Sequence, residues 1–250
     1  KDMEIKGLVK TSLVDYPGRV AMVVFTGGCN LRCPFCQNPD LVLKPSALPH
    51  FPTEEVLRLL TERKGFVDGV VITGGEPTLQ QGLPAFLAEV RRLGMAVKLD
   101  TNGTHPEVLD ALLSAGVVDY VAMDLKAAPE RYSEAVGRPF TPGDIRAISC
   151  SVSLLKSSQI DYEFRTTCVP GLVDNGTFPA LEPWLRGARR YVLQQYRPTV
   201  TLDPAYRRLS PYPPSQLAHW ARLVAPWVEE VEVLSLIHIS EPTRLGMISY

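Results

Sequence analysis

The sequence predicts an α/β fold in which helices cover a parallel sheet that forms an open or partial barrel. Short apolar runs of strand length alternate with helical segments along most of the chain. About six β-α units are visible, which is fewer than a closed barrel of this type needs. The 250 residues, 45% hydrophobic and 21% charged, fit one large domain of this class.

The elements follow from apolar runs and helix-start signals. Predicted strands cover 20–25, 70–73, 96–100, 120–124, 162–168, 191–195 and 228–233, and predicted helices cover 82–93, 106–115, 129–136, 142–156, 178–187 and 215–224. A further helix begins where Thr53 is expected to cap it, with Glu54 and Glu55 in the first turn, as the helix dipole favours. A proline-rich loop spans 197–214.

Polar side chains stand at or just beyond the ends of several predicted strands. They are Thr26, Glu76, Asp100, Asp124 and Gln195. Parallel α/β folds place their active sites at the carboxyl ends of the strands. We therefore expect a functional site at this edge of the sheet.

The bulk properties narrow the function class. A formal net charge of −1 gives no overall field to attract nucleic acid or an anionic membrane, so neither is expected as a partner. No run reaches the roughly 18 apolar residues of a membrane span, and the start lacks the apolar core of a signal peptide. Five cysteines, three of them crowded together, suit a metal site in reducing surroundings better than disulfides. A cytoplasmic location is expected.

The two ends of the chain are set apart from the domain. Residues 234–244 read as the in-frame translation of a transposon-type sequencing adapter, so residues 234–250 are expected to be an artefact and His238 is not counted as a ligand. The first methionine is Met3. The predicted single domain covers residues 3–233.

Cys29, Cys33 and Cys36 form a C-x3-C-x2-C loop directly after a glycine pair at a strand end. A four-iron cluster takes one thiolate per iron, so three cysteines leave the fourth iron open to a small chelating ligand. Phe35 is placed to shield one face of such a cluster from solvent. The alternative of a zinc site lacks the second cysteine pair that such sites usually carry.

The remaining cysteines, Cys150 and Cys168, have no partner at ligand spacing. Each stands in an apolar context, and both are expected to be core residues.

A second motif, Gly74-Gly75-Glu76-Pro77, follows the predicted strand over 70–73. The glycines permit close approach of a ligand. Pro77 disfavours the helical conformation in the preceding residue and so holds Glu76 extended, with its carboxylate available to an ammonium group. This motif alone is weak, because it is also an ordinary strand-to-helix turn.

Together the two motifs resemble those of radical S-adenosylmethionine enzymes, whose cysteine loop holds a [4Fe-4S] cluster and whose Gly-Gly-Glu-Pro segment receives the methionine amine of the cofactor. Further segments resemble the anaerobic ribonucleoside-triphosphate reductase activating proteins, which are relatives of the pyruvate formate-lyase activating enzymes. These segments are 11–18, 25–30, 98–103, 122–126, 161–167 and 191–195. The resemblance runs in order through residues 3–233.

The resemblance implies a partial (β/α)6 TIM-like barrel and a radical reaction. One electron, from a reduced flavodoxin or ferredoxin, leads to cleavage of S-adenosylmethionine, and the resulting 5'-deoxyadenosyl radical takes a hydrogen atom from a glycine of a partner enzyme. The implied partner is the anaerobic ribonucleoside-triphosphate reductase. The protein's share of such chemistry is positioning and the exclusion of water.

Roles for individual residues also follow from the resemblance. Glu76 with Gly74 and Gly75 would hold the methionine amine, and Lys126 and Arg165 would contact the cofactor's carboxylate and ribose, although Lys126 could instead be a surface charge. The other implied contacts are Phe35, Asp100 and Gln195 for the cofactor, and Asp100, Thr101 and Asp124 for a monovalent cation, whose hard oxygen donors suit it.

Two departures from the pyruvate formate-lyase relatives concern histidines. Gln37 stands where those relatives have a histidine beside the cluster, and Gln194 and Gln195 stand near their ribose-contacting histidine. A neutral amide can make the hydrogen bond without the charge.

Two other functions remain open at this stage. One is a radical enzyme of the same superfamily that acts on another glycyl-radical enzyme, a peptide or a small molecule, because the motifs fix the cofactor better than the substrate. The other is a simple iron-sulfur electron-transfer protein, which would not need the Gly-Gly-Glu-Pro strand end.

Overall fold

The computed structural model describes residues 2–235, which are built around one eight-stranded sheet. The strands are β1 (Ile5–Ser12), β2 (Ala21–Thr26), β3 (Gly69–Gly74), β4 (Ala96–Thr101), β5 (Tyr120–Asp124), β6 (Asp161–Cys168), β7 (Ala188–Gln195) and β8 (Val228–Leu234). They lie in the sheet in chain order. β1 pairs antiparallel with β2, and each later neighbouring pair is parallel.

Helices fill the connections between the parallel strands. They are α1 (Pro39–Leu43), α2 (Thr53–Glu62), α3 (Leu83–Arg92), α4 (Pro106–Ser114), α5 (Tyr132–Val136), α6 (Pro142–Ser157), α7 (Thr177–Leu185) and α8 (Pro214–Val224), with short 3-10 turns at Pro45–Ala47, Pro77–Leu79, Pro129–Arg131, Pro204–Arg208 and Ala225–Trp227. Within residues 2–235, these helices are too short or too polar to cross a bilayer.

The sheet curves without closing, which confirms the predicted partial α/β barrel. The six helical crossovers from β2 to β8 are the predicted β-α units. In the part of the chain that the structure describes, β1 and β8 are the two edges and do not pair with each other. Both therefore leave an open side to the barrel.

Side chains that alternate between the two faces of the sheet form two separate hydrophobic cores. Val24, Ile72 and Leu99 lie side by side in register and face the helices in the larger core. Val23 and Val71 are paired one position earlier and belong to the smaller core on the inner face. Because both faces are buried, these strands appear in the sequence as continuous apolar runs rather than as alternating ones.

Strand β1 was missed by the sequence reasoning. Lys6, Gly7 and Lys10 interrupt its apolar residues, so the segment gives no continuous apolar run. An antiparallel edge strand needs only partial burial, and polar residues are therefore compatible with it.

The expected cap at Thr53 is wrong. Pro52 occupies the N-cap position, Thr53 is the first residue of α2, and the Pro52 side chain makes no capping hydrogen bond. The hydroxyl of Thr53 instead accepts a hydrogen bond from the backbone of Met3 at 3.4 Å.

The expectation that Cys150 is a core residue is also wrong. Cys150 is exposed on α6, whereas Cys168 is buried as expected. The buried positions of α6 are Ile148, Ser151, Val152 and Leu155, which recur at helical spacing and leave residue 150 on the opposite face. The apolar neighbours of Cys150 thus lie on another side of the helix.

The expected boundary near residue 233 falls within the last strand. β8 continues to Leu234, which pairs with Gln194 of β7. The rest of the suspected adapter segment, including His238, lies outside the described residues, as does residue 1.

Ser151 connects α6 to the loop after β4, where predicted site residues stand. Its fully buried hydroxyl donates to the carbonyl of Gly103 at 2.7 Å. We expect Ser151→Ala to lower the free energy of unfolding by about 1–2 kcal/mol, because a buried hydrogen bond is lost. Ser153→Ala, which removes an exposed hydroxyl bonded to Ser149 in the same helix, should change it by less than about 0.5 kcal/mol. Equal effects in urea unfolding would contradict this account.

Candidate active site

The structure brings the predicted site residues together around one cavity of about 580 Å³. The predicted residues that line it are Cys29, Cys33, Phe35, Cys36, Gly74, Gly75, Glu76, Asp100, Thr101, Asp124, Lys126, Arg165 and Gln195. They come from the carboxyl ends of β3 to β7 and from the cysteine loop after β2. Residues far apart in the chain therefore meet because parallel strands end at one edge of the sheet.

The glycine pairs after β2 and β3 hold the two motifs against each other. The backbone N–H of Gly75 donates to the Thr26 carbonyl at 2.9 Å, and that of Glu76 donates to the Gly28 carbonyl at 2.8 Å. A Cβ atom on Gly75 would lie 1.9 Å from the Gly28 oxygen, and Gly74 has φ of +116°. Gly74 and Gly75 are thus required by close backbone contact within the protein, in addition to the close approach of a ligand that the sequence predicts.

The cysteine loop places its three thiols at the cavity wall in largely buried surroundings. The backbone N–H of Leu31 donates to the Cys29 Sγ atom at 3.4 Å, and that of Cys36 donates to the Cys33 carbonyl at 3.0 Å. Burial raises the pKa of Cys29 and of Cys33 to about 11, and it also raises that of Cys36. Without a metal the thiols are neutral at pH 7, so metal binding must displace their protons.

Glu76 extends into the cavity wall with its carboxylate held by four donors. Its backbone is extended, as the following proline predicts. Oε1 accepts hydrogen bonds from the Thr78 hydroxyl at 2.6 Å and the Thr101 hydroxyl at 2.7 Å, and it also accepts one from the Thr78 backbone. Oε2 accepts only from the Asn102 backbone, at 2.8 Å, among the contacts that the structure gives.

Burial still raises the pKa of Glu76 above its ordinary value, despite the donors from Thr78, Asn102 and Thr101 that act in the opposite direction. The side chain is 1% exposed. An ammonium group placed beside this carboxylate would stabilise the ionised form and gain a charge-assisted hydrogen bond.

Partly buried charges on β5, on β6 and in the loop after β5 pair with one another beside the cysteines. Asp124 accepts hydrogen bonds from Lys126 at 3.2 Å and from the Arg165 Nε atom at 3.1 Å. Burial would raise the pKa of Asp124, but Lys126 and Arg165 outweigh it and lower the pKa. Burial would likewise lower the pKa of Lys126, yet the charge of Asp124 raises it.

Lys126 is consequently not an exposed surface charge, which was the alternative that the sequence allowed. Its side chain is 15% exposed, and its ammonium nitrogen lies 5.9 Å from the centre of the Phe35 ring. Phe35 itself is buried between the second and third cysteine positions. A permanent positive charge therefore stands next to the thiols.

The sequence model of the Radical SAM superfamily matches residues 23–175, which is more than half of the chain. The chain belongs to the Radical SAM superfamily. It is 30% identical over 234 residues to a protein of Methanocaldococcus jannaschii that carries the provisional name of a glycyl-radical enzyme activating enzyme, covering 93% of this chain and 96% of that one. A shorter match, 37% identical over 87 residues, joins it to a 7-carboxy-7-deazaguanine synthase of Rhodopirellula baltica and covers 35% of this chain and 33% of that one.

Solved Radical SAM structures share the fold. SuiB of Streptococcus suis, bound to S-adenosylmethionine, superposes with a TM-score of 0.63 at 16% identity over 83% of this chain and 48% of that one. The coproporphyrinogen III oxidase HemN of Escherichia coli gives 0.55 at 15% identity over 85% of this chain and 54% of that one. The chain thus spans about half the length of these two proteins.

As a Radical SAM protein, the chain uses a [4Fe-4S] cluster and S-adenosylmethionine, and its donor set fits both. Three thiols on one loop suit a cluster in which each of three irons takes one thiolate. The described residues contain no group of three His, Cys, Asp or Glu side chains close enough to hold a metal ion as they stand. A four-iron cluster spreads its cysteines more widely than a single ion does.

The proposed monovalent cation site of Asp100, Thr101 and Asp124 stays a prediction. The two carboxylates already contact cations of this chain, since Asp100 accepts from Lys98 at 2.6 Å and lies 3.7 Å from Arg165. The hydroxyl of Thr101 donates to Glu76. An added cation would compete with these protein charges.

The glutamines named in the sequence analysis also lie at the cavity. The Gln195 amide donates to the Tyr212 carbonyl at 2.7 Å, and the Gln37 amide donates to the Arg197 carbonyl at 3.2 Å. Both amides thus tie loops around the site together. A ribose contact from Gln194 or Gln195 stays a prediction.

Several cavity residues were missed by the sequence reasoning. They are Asn102, Lys98, Glu163 and Arg190, with Thr78 beside them as a donor to Glu76. Glu163 accepts from the Tyr120 hydroxyl at 2.6 Å and lies 3.3 Å from Arg190. Lys98 and Glu163 precede the chosen Asp100 and Arg165 by two positions on the same strands, so the strand period of two could have indicated them.

Thr26 does not belong to the cavity lining, contrary to the expectation from its strand end. It is fully buried, and its hydroxyl donates to the Thr73 carbonyl at 3.1 Å. Its role is to join β2 to β3 beneath the glycine pairs.

Substituting Gly75 tests the contact between the two loops. In Gly75→Ala the new methyl group meets the Gly28 carbonyl, so the loops must separate and the cysteines must move from the Glu76 side of the cavity. We expect at least half of the iron and sulfide to be lost after anaerobic reconstitution, as measured by metal analysis. Gly143→Ala is the matched control, because its nearest neighbour would lie 3.4 Å from the new Cβ atom and its φ is not positive. Full iron content in Gly75→Ala would show that the contact is dispensable.

Proposed function

We propose that this Radical SAM protein activates a glycyl-radical enzyme, specifically the anaerobic ribonucleoside-triphosphate reductase. The bound cluster and cofactor supply the chemistry, in which one electron cleaves a sulfonium C–S bond and a glycine of the partner loses a hydrogen atom. The observation that carries the proposal is the similarity to the Methanocaldococcus jannaschii protein, which spans 93% of this chain and 96% of that one. The match to the 7-carboxy-7-deazaguanine synthase covers only 35% of this chain.

The proposed cofactor contacts follow the charges around the cavity. Glu76, which lies beside Gly74 and Gly75, receives the methionine amine through Oε2, the carboxylate oxygen with fewer protein donors. Lys126 and Arg165 supply the positive charge for the methionine carboxylate and hydrogen bonds for the ribose. Asp124 holds both cations in place between them, so that their geometry is set before the cofactor arrives.

Apolar side chains keep water from the reacting centre. Leu31 and Phe35 are buried and line the cavity on either side of Cys33. Exclusion of water protects a reactive organic radical from side reactions and strengthens the charge contacts around it.

The open side of the barrel favours a substrate that is part of another protein. The same cavity is lined by Val14 and Pro17, from the loop after β1, and by Glu232 of β8. It therefore reaches the gap between the two sheet edges, where an extended segment of a partner could enter. Leu13 and Val14, which adjoin each other in this loop, are 73% and 43% exposed, and adjoining exposed apolar side chains suit a protein contact.

Mixing with the partner tests this function. Anaerobic protein with reconstituted cluster, reduced flavodoxin or ferredoxin and S-adenosylmethionine is added to anaerobic ribonucleoside-triphosphate reductase. We expect a glycine-centred radical signal by electron paramagnetic resonance that requires all components and disappears with Cys33→Ala but not with Cys150→Ala. The exposed Cys150 controls for the loss of a thiol as such.

Cofactor cleavage without a glycine radical on the reductase would overturn this partner. Assays with pyruvate formate-lyase and with peptide substrates would then separate the alternatives of another glycyl-radical enzyme and a peptide or small-molecule reaction.

A further inference from the structure

A ring of hydrogen bonds joins the cysteine loop to the loop after β4. The side-chain amide of Asn102 donates to the Asn30 Oδ1 atom at 3.0 Å, and the amide of Asn30 donates to the Thr104 hydroxyl at 2.9 Å. The Thr104 hydroxyl donates in turn to the Asn102 Oδ1 atom at 2.7 Å. Each of the three side chains donates one hydrogen bond to the next and accepts one from the previous, so all donors and acceptors of the ring are matched.

Two members of this ring adjoin different parts of the proposed cofactor site: Asn30 adjoins Cys29 in the cysteine loop, and Asn102 adjoins Glu76. Asn30 directly follows Cys29 in the chain, and its carbonyl accepts from the Arg138 Nε atom at 3.1 Å. The backbone N–H of Asn102 donates to the Glu76 Oε2 atom at 2.8 Å. One side chain thus links the cysteine loop to the residue that orients the Glu76 carboxylate.

We propose that Asn30 and Asn102 form a tie that fixes the distance between the cluster and Glu76, and that Asn30 is thereby a positioning residue for S-adenosylmethionine. The inference rests on the proposed role of Glu76 in holding the methionine amine. A cofactor that contacts an iron of the cluster and a distant carboxylate at once binds well only when both are held at a fixed separation. The tie supplies this separation through side chains, in addition to the backbone contact of the glycine pairs.

Asn30 allows this role to be separated from direct contact. Asn30 is not among the residues that line the cavity, whereas Asn102 is. A change in cofactor affinity on substitution of Asn30 must therefore reach the cofactor through the protein. A merely structural side chain would alter stability and leave this affinity unchanged.

The test is a titration of reduced, reconstituted protein with S-adenosylmethionine, followed by the cluster's electron paramagnetic resonance spectrum. We expect Asn30→Ala to keep the iron and sulfide content and the cofactor-free spectrum of the unsubstituted protein. The cofactor concentration at half-maximal spectral change should rise about tenfold, as the loss of two hydrogen bonds implies. Asn175→Ala is the matched control, since its side chain accepts a hydrogen bond from Trp220 away from the cavity, and its midpoint should not change.

The double variant Asn30→Ala/Asn102→Ala adds a second criterion. Because both substitutions break one tie, its midpoint should equal that of the weaker-binding single variant rather than show the product of both effects. An unchanged midpoint in Asn30→Ala, or a multiplicative double variant, would overturn the tie. If Asn30→Ala loses iron, the titration of Asn102→Ala decides, and an unchanged midpoint there overturns the proposal.

Glu76→Gln, titrated in parallel, distinguishes failure of the tie from failure of the site. A raised midpoint in Glu76→Gln with an unchanged one in Asn30→Ala would refute the tie and leave the role of Glu76 standing. An unchanged midpoint in Glu76→Gln would refute both.

Discussion

Contact between the backbones of two glycine pairs is the constraint on which the site depends. The Gly28 carbonyl approaches Gly75 so closely that residue 75 could not carry a side chain, Gly28 itself has φ of +88°, and two backbone hydrogen bonds fix the loops relative to each other. The loop after β2 carries the thiols, and the loop after β3 carries Glu76. Neighbouring parallel strands thus bring Gly28 and Gly75, which are 47 positions apart in the sequence, into direct contact at the edge of the sheet.

The charges around the cavity follow from the same geometry. Strand ends on β4, β5 and β6 place Asp100, Asp124 and Arg165 side by side, and the loop after β5 adds Lys126. Buried charges are tolerable only when they are paired and hydrogen-bonded. Their pairing leaves Glu76, with its raised pKa and no protein cation bonded to it among the described contacts, as the natural place for a positively charged group.

The sequence predicted those parts of the molecule that have a strong local signal. The parallel strands are buried on both faces and stand out as apolar runs, and the cysteine and Gly-Gly-Glu-Pro motifs have fixed spacing. Strand β1 lacked such a signal because an edge strand needs no continuous apolar run. Cys150 was misplaced because apolar neighbours in sequence were considered without their helical spacing, which puts residue 150 opposite Ile148, Ser151 and Val152.

Tertiary contacts account for the other omissions. The hydrogen bonds of Asn30 with Asn102 and of Thr78 with Glu76 join loops or turns whose relative positions depend on the folded sheet. Thr26 also stands at a strand end, but its hydroxyl donates to a carbonyl of the neighbouring strand and it does not line the cavity. Strand-end position selects the right edge of the sheet but not the direction of each side chain.

The central claim is that three thiolates hold a four-iron cluster and leave one iron open to a cofactor held by Glu76. Electron paramagnetic resonance of the reduced, fully loaded protein, before and after addition of S-adenosylmethionine, tests it most directly. The account predicts that the cofactor changes the g values of the cluster signal, because it becomes a ligand of the open iron. An unchanged spectrum at saturating cofactor, in protein whose iron and sulfide content matches one four-iron cluster, would contradict it.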